Sequence, residues 1–371
     1  MPIEVESPEQ LGYHTITNNL SESSVSDRRL ADLGLDATIR SALDELTLGY
    51  GDHLGDPRLR DAVAAGSAGF GADDVLVMPG AAAALFATAT SLLEPTDHAV
   101  VVRTNYATNL ETPRAIGADV DIVDLAFEDA WQLDVAHVAS RVKAGVTKLI
   151  SVTCPHNPTG TMLDLASLYA LVELAERSGA VLLVDETYRE LTHGSPLPVA
   201  ATLSPRVISV SSMSKAYGLP GLRIGWAVCR DQKLFETLLA AKEQMFICGA
   251  TLDEAIAARV LADRERVLPP ILSDVQARLS IVDDWIGAQD TFEWIEPTGG
   301  VVGLVRFVAG TTVDTNRFYE VLLARYGTYV GPGHWFDVDD SHFRLGFGWP
   351  TDRQLRSGLA ALTAAAADTI G

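Results

Sequence analysis

Seven short apolar runs punctuate the chain between residues 74 and 229: DVLVM, HAVVVR, DVDIVDL, TKLISVT, AVLLVDE, RVISVS and LRIGWAVC. Runs such as Val181 to Val184 are apolar at every position, so both faces of the strand must be covered, as in parallel strands packed between helices. Between the runs lie stretches of helical character, such as Ala81 to Leu93 and Leu165 to Arg177, long enough to act as crossovers. This alternation predicts an α/β layer architecture.

Beyond about residue 240 the pattern changes. Long helical stretches around LLAAKEQM, LDEAIAARVLADRERV and ILSDVQARLSIVDDWI precede two glycine-punctuated strands, GGVVGLVRF and HFRLGFGW. The change predicts a large unit over residues 46–275 and a smaller α+β unit over 276–371, with residues 1–45 joining the smaller one. No internal repeat or low-complexity block is evident beyond alanine-rich helices such as Leu359 to Ala367.

Composition narrows the function classes. The 371 residues carry a formal net charge of −21, spread along the chain, which opposes binding to nucleic acid or to an anionic membrane. The N-terminal MPIEVESPEQ lacks the basic and apolar regions of a signal peptide, and no apolar run is long enough to span a bilayer, so a cytoplasmic protein is expected. Cys154, Cys229 and Cys248 are widely spaced and read as free thiols, and the scattered histidines suggest no metal site.

In an open α/β sheet, ligands gather beyond the carboxyl ends of the strands, so the polar residues that close each run are the candidates for chemistry. After DVLVM, the Gly80, Ala81 and Ala82 stretch opens a helix with residues small enough to admit a phosphate to its N-terminus, although such turns also occur for purely structural reasons. In TCPHNPTG, Pro158 forces a turn that holds the amide of Asn157 at a strand end. In LLVDETYRE, Asp185 closes a fully apolar strand and calls for a cationic partner, or else caps the next helix; Tyr188 follows three residues later. In SSMSKAYGLPGLRIGW, Lys215 follows a strand and is flanked by Ser212, Ser214 and Arg223, two hydroxyls and a guanidinium suited to a phosphate. A phosphate site, an amine nucleophile, a buried carboxylate, an amide and a phenol together meet the needs of pyridoxal 5'-phosphate, whose aldehyde a lysine binds and whose ring nitrogen an aspartate keeps protonated.

These segments resemble the class I/II aminotransferases, which are fold-type I pyridoxal-phosphate enzymes. The similar stretches run from about Tyr50 to the C-terminus: Tyr50 to Arg60, HNPTG, DETY, SMSKAYGLPGLRIG and FRLGFG, in the family's order. The resemblance implies a mainly parallel seven-stranded sheet with helices on both faces, a smaller α+β domain and a homodimer with shared active sites. It implies that Lys215 binds the cofactor covalently, that Asp185 meets the pyridine nitrogen, and that Asn157 and Tyr188 meet the ring hydroxyl. Gly80, Ala81, Ala82, Ser212, Ser214 and Arg223 would hold the phosphate, joined by Tyr50 from the partner subunit. Tyr106 would stack on the ring and Arg344 would clamp the substrate α-carboxylate. Tyr106 and Tyr50 could instead be packing residues, and Arg344 a surface strand residue.

The family's N-terminal Asn-Glu-Asn-Pro-like turn is replaced here by NNLSESSVSDRR, which keeps Glu22 and lacks the proline; the proline usual before the stacking aromatic is also missing, in Arg103, Thr104, Asn105, Tyr106. Glu22 is either a solvated loop charge or a partner for a cationic substrate side chain. The expected activity is transfer of an amino group from an L-amino acid to a 2-oxo acid. SKAYGLPGLRIGW and PHNPTG are also similar to capreomycidine synthases, which implies the alternative of a lyase or cyclase using the same cofactor. A regulator with a DNA-binding domain ahead of an aminotransferase-like part is disfavoured, because only about fifty residues precede Tyr50.

Overall fold

The computed structural model describes residues 6–103 and 106–370. Strand β1 (Asn18–Asn19) lies apart from the seven predicted runs, which form β2 (Val75–Met78), β3 (His98–Val102), β4 (Asp119–Val123), β5 (Thr147–Thr153), β6 (Val181–Asp185), β7 (Val207–Ser212) and β8 (Gly225–Cys229). All seven belong to one sheet, in the order β2-β8-β7-β6-β5-β3-β4. Strands β4, β3, β5, β6 and β7 are parallel, whereas β8 runs antiparallel to both β7 and β2. The reversal has a local cause: the connection from Met213 to Ile224 holds only a short 3-10 turn and no crossover helix, so the chain returns beside the strand it left. Lys215 sits in that connection.

Alternate residues of β6 feed two separate cores. Val181 and Leu183 pack with Leu85 of helix Ala81–Leu92 and with Phe235 and Leu238 of helix Gln232–Phe246. Leu182 and Val184 pack with Leu168 and Leu171 of helix Leu165–Ser178 on the opposite face. An unbroken apolar run is therefore required here, and a polar residue is admitted only at the strand's end, at Asp185.

A second, antiparallel sheet has the order β12-β13-β10-β9, built from β9 (Phe292–Trp294), β10 (Val302–Phe307), β12 (Gly331–Pro332) and β13 (His342–Gly346), while β11 (Thr328–Tyr329) pairs in parallel with β1. Phe292, Phe307, Phe318 and Phe343 pack edge-on or tilted behind it, with ring centres 4.7 to 6.3 Å apart. Residues 20–28 then cross from this sheet to the Lys215 connection. The Gly346 amide donates to the Leu20 carbonyl at 2.7 Å, the Val25 amide to the Lys215 carbonyl at 3.2 Å, and the Arg28 amide to the Gly218 carbonyl at 2.9 Å. Cys154 and Cys229 are buried and Cys248 half-buried, all as free thiols. Among the described residues no helix is long and apolar enough to cross a membrane.

Candidate active site

The carboxyl ends of β2, β5, β6 and β7 face one edge of the large sheet, and the start of β8 lies among them. Gly225 pairs with Met78 on one side and with Ser212 on the other. A Cβ on Gly225 would lie 2.6 Å from the Ala81 nitrogen and 2.8 Å from the Ser211 carbonyl oxygen, so only glycine lets the three strand ends close up. Gly80, at φ +83°, starts helix Ala81–Leu92, and no side chain caps the helix. The N–H groups of its first turn, Ala81 and Ala82 included, thus present the positive end of the helix dipole to the edge.

Arg223 adopts a left-handed conformation at φ +53° and donates from Nη1 to the Pro220 carbonyl at 3.0 Å. Its Nη2 lies 2.8 Å from the place a Gly80 Cβ would take, directly over that helix start. The buried Ser212 hydroxyl accepts from the Ser214 amide at 3.3 Å, and Ser214 is half-buried beside it. Helix terminus, two serines and one arginine are groups that could together hold a dianion.

Asp185 is buried, with Oδ1 accepting from the Thr187 amide at 3.1 Å and the Thr187 hydroxyl at 2.6 Å. Burial pushes its carboxyl up; the two Thr187 hydrogen bonds, Lys215 and the side chain of Asn109 act the other way. Tyr188 is 3% exposed, and among the described residues its hydroxyl has no hydrogen-bond partner. Asn157, buried beyond β5 before a cis Pro158, accepts at Oδ1 from Arg344 Nη1 at 3.1 Å. Arg344 also donates from Nη2 to the Ser21 carbonyl at 2.5 Å and lies over the Phe336 ring. It is buried on β13, not a surface strand residue. His156, buried beneath the turn, is pushed down to about 4 by loss of solvent and stays neutral, bonded to Thr159 and the Arg103 carbonyl.

The amine of Lys215 donates to the Ser23 hydroxyl at 2.8 Å. Glu22 is half-buried, its Oε1 accepting from Tyr13 at 3.1 Å and Asn19 at 3.2 Å. The Tyr13 hydroxyl also lies 2.9 Å from Glu9, so one hydroxyl hydrogen serves two carboxylates. Burial, and then the nearby Glu9, push the Glu22 carboxyl up.

Two predicted residues are exposed. Tyr106 is 47% exposed at the start of helix Ala107–Ile116, one turn before Asn109 and on the same face; Thr104 and Asn105 lie outside the described residues. Tyr50 is 84% exposed, in a loop. Sequence reasoning missed Ser21, Ser23, Glu9, Tyr13, Asn109 and Thr187. Only Thr187 left a local signal, since a threonine two residues after an aspartate readily bonds back to it.

A carboxyl raised by burial favours folding only while it is protonated, and that contribution is lost as pH rises through its folded value. In the ligand-free protein, Asp185→Asn is therefore expected to melt no lower than wild type at neutral pH, and by a few degrees higher if Thr187 keeps its bonds. The gap should close toward the ordinary aspartate range near ~pH 4. Melting curves across this range check the sign.

The family model for aminotransferase class I and II matches residues 19–362. Capreomycidine synthase of Streptomyces vinaceus is 33% identical over 357 residues, covering 95% of this chain and 90% of that protein. Arginine–pyruvate transaminase of Pseudomonas aeruginosa is 28% identical, covering 90% and 87%. Among solved structures, a PLP-dependent aminotransferase from Streptococcus suis superposes with a TM-score of 0.90 at 27% identity, over 96% of this chain and 95% of that one. A PLP-dependent cyclase gives 0.85 at 29% identity, over 98% of each. With the mixed seven-stranded sheet and the lysine, aspartate, asparagine and arginine set around its edge, these matches place the chain in the class I and II aminotransferase family of fold-type I pyridoxal-phosphate enzymes.

Proposed function

We propose that this enzyme moves the amino group of an L-amino acid to a 2-oxo acid, and that its preferred donor carries a cationic side chain. The family's cofactor is pyridoxal 5'-phosphate, and the residues present suit it. Asp185 is a buried acid in need of a cation, Tyr188 a buried hydroxyl in need of a partner, and the uncapped helix at Gly80 a place for a phosphate. Asp185 would hold the ring nitrogen, Asn157 and Tyr188 the ring hydroxyl, and Gly80, Ala81, Ala82, Ser212, Ser214 and Arg223 the phosphate. When bound, the cofactor supplies an aldehyde that condenses with amines and a ring that draws electrons away from the substrate's Cα.

The remaining work belongs to side chains. Arg344 binds the α-carboxylate, and its bond to Asn157 ties the carboxylate site to the cofactor site. That bond is the observation that carries the reading, because it orients the substrate relative to the group that activates it. Lys215 takes the proton from Cα and delivers it back to a neighbouring carbon, acting as base and then as acid.

A second reading has specific support. The relative at 33% identity is named as a synthase of capreomycidine, and one structural neighbour as a cyclase. Elimination with ring closure begins with the same proton removal by Lys215 and parts from transamination only afterwards. Mixed with an amino-acid panel and pyruvate, the enzyme is expected to release keto acid without ammonia, and Lys215→Ala to release neither. Ammonia, or a cyclised product, with no amino group passed to pyruvate would establish the second reading instead.

The cationic preference rests on Glu9 and Glu22, two carboxylates sharing the Tyr13 hydroxyl within electrostatic reach of Lys215. A guanidinium placed there would relieve both their repulsion and the burial of Glu22. Its chemistry agrees with the relative named for arginine. No second arginine stands in a family segment to receive a side-chain carboxylate, so aspartate and glutamate should be poor donors. Glu22→Gln is expected to raise KM for arginine about tenfold and to leave neutral donors nearly unchanged. Equal effects on both, in steady-state assays, would remove Glu22 from the substrate site.

The homodimer also belongs to this reading. Leu48 and Tyr50 are exposed, together with Phe246, Ile247 and Leu252. The Thr251 hydroxyl, bonded to the Gly49 carbonyl at 2.9 Å, joins the two segments into one apolar surface suited to a second copy. Lys215→Ala chains, which are inactive, and Tyr50→Phe chains, which are impaired, should exceed both parents in activity when refolded together, since one site of the mixed dimer is intact. Mixed chains no more active than the Tyr50→Phe parent would show that Tyr50 does not act across subunits.

A further inference from the structure

Three carboxylates lie within electrostatic reach of Lys215, and one oxygen of each is bonded to another side chain: Glu9 and Glu22 to Tyr13, and Asp185 to Thr187. The hydrogen bond of the amine goes instead to a neutral group, the hydroxyl of Ser23 at 2.8 Å. The difference matters for a lysine that must both take and give a proton. A carboxylate in contact would favour the ammonium form and hold its proton. A hydroxyl accepts from the ammonium and, after turning its hydrogen, donates to the lone pair of the neutral amine. It can orient the nitrogen in either state.

The place of this hydroxyl is set by backbone on both sides. Two residues before it, the Ser21 carbonyl accepts from Arg344; two residues after it, the Val25 amide donates to the carbonyl of Lys215 itself. Ser23 is buried between these anchors. One short segment therefore touches both the residue that binds the carboxylate and the residue that moves the proton.

We propose that Ser23 is the positioning residue for the Lys215 amine, holding the nitrogen whenever it is not covalently engaged and aiming it at the substrate Cα. The proton passes from Cα to Lys215 Nζ and on to the accepting carbon, so Ser23 gains and loses none. The inference rests on Lys215 as the group that removes the Cα proton, a step common to transamination and elimination.

The test compares wild type with Ser23→Ala, Ser23→Cys and Ser23→Thr, after circular dichroism and melting curves show a native fold. The first readout is exchange of the arginine α-hydrogen for solvent deuterium by the loaded enzyme, followed by proton NMR. The second is the rate at which cofactor-free protein forms a borohydride-trappable link between Lys215 and pyridoxal phosphate. Alanine, and cysteine with its weak hydrogen bonding, should slow exchange about tenfold with KM little changed, and slow the linking rate several-fold. Threonine, which keeps the hydroxyl, should stay within about threefold of wild type on both. Alanine and cysteine variants equal to wild type, or a threonine variant as slow as alanine, would overturn the proposal. With whichever donor wild type exchanges fastest, α-hydrogen exchange as fast in Lys215→Ala as in wild type would overturn the reading of Lys215, and this proposal with it.

Discussion

The backbone of residues 20–28 is the seam on which the candidate site depends. It bonds to β13 at Gly346, to the Arg344 guanidinium at Ser21, and to the Lys215 connection at Val25 and Arg28. These are mostly main-chain contacts, so they fix position with little dependence on side-chain identity. Arg344 comes from the small antiparallel sheet and Lys215 from the edge of the large one. The crossing segment brings both into one hydrogen-bonded arrangement.

Around that seam the protein places charge where water is scarce. Asp185 is buried without a directly paired cation among the described residues, and Glu22 is half-buried beside a second acid. Each arrangement raises the free energy of the ligand-free chain and is relieved by a ligand of opposite charge. Tyr188 adds a buried hydroxyl with no partner among the described residues. His156 differs from these three, since both of its ring nitrogens are bonded internally.

The single reversed strand has a similar logic. Because β8 returns next to β7 after a short connection, the Lys215 loop is held between two bonded strands, and Gly225 can pair with both Met78 and Ser212. The cradle over Gly80 is then assembled from three adjacent strand ends, with the left-handed Arg223 turning its guanidinium back over the helix start. A helical crossover at this point would have carried the lysine away from the serine and arginine that accompany it.

Most strands of the large sheet were legible because each is an apolar run whose neighbours in sequence are polar, and burial on both faces demands that pattern, whereas the edge strand β4 is only partly buried and alternates with aspartates. Lys215, Asp185, Asn157 and Arg223 were legible for a related reason: each stands at or just beyond a strand end, where a polar residue after an apolar run is conspicuous. The sequence could not show that β8 runs backward, since an apolar run has no direction. Nor could it show Ser23 or Ser21, 192 and 323 residues away from their partners, because a serine in a polar loop looks the same whether it faces water or an amine. Asn109 and Tyr13 were hidden in the same way, one on a helix and the other in a short turn, with no local pattern to single them out. Local periodicity determined the elements and the ends that carry chemistry; only tertiary packing decided which distant backbone closes over the lysine, because that choice depends on long-range hydrogen bonds that leave no period in the chain.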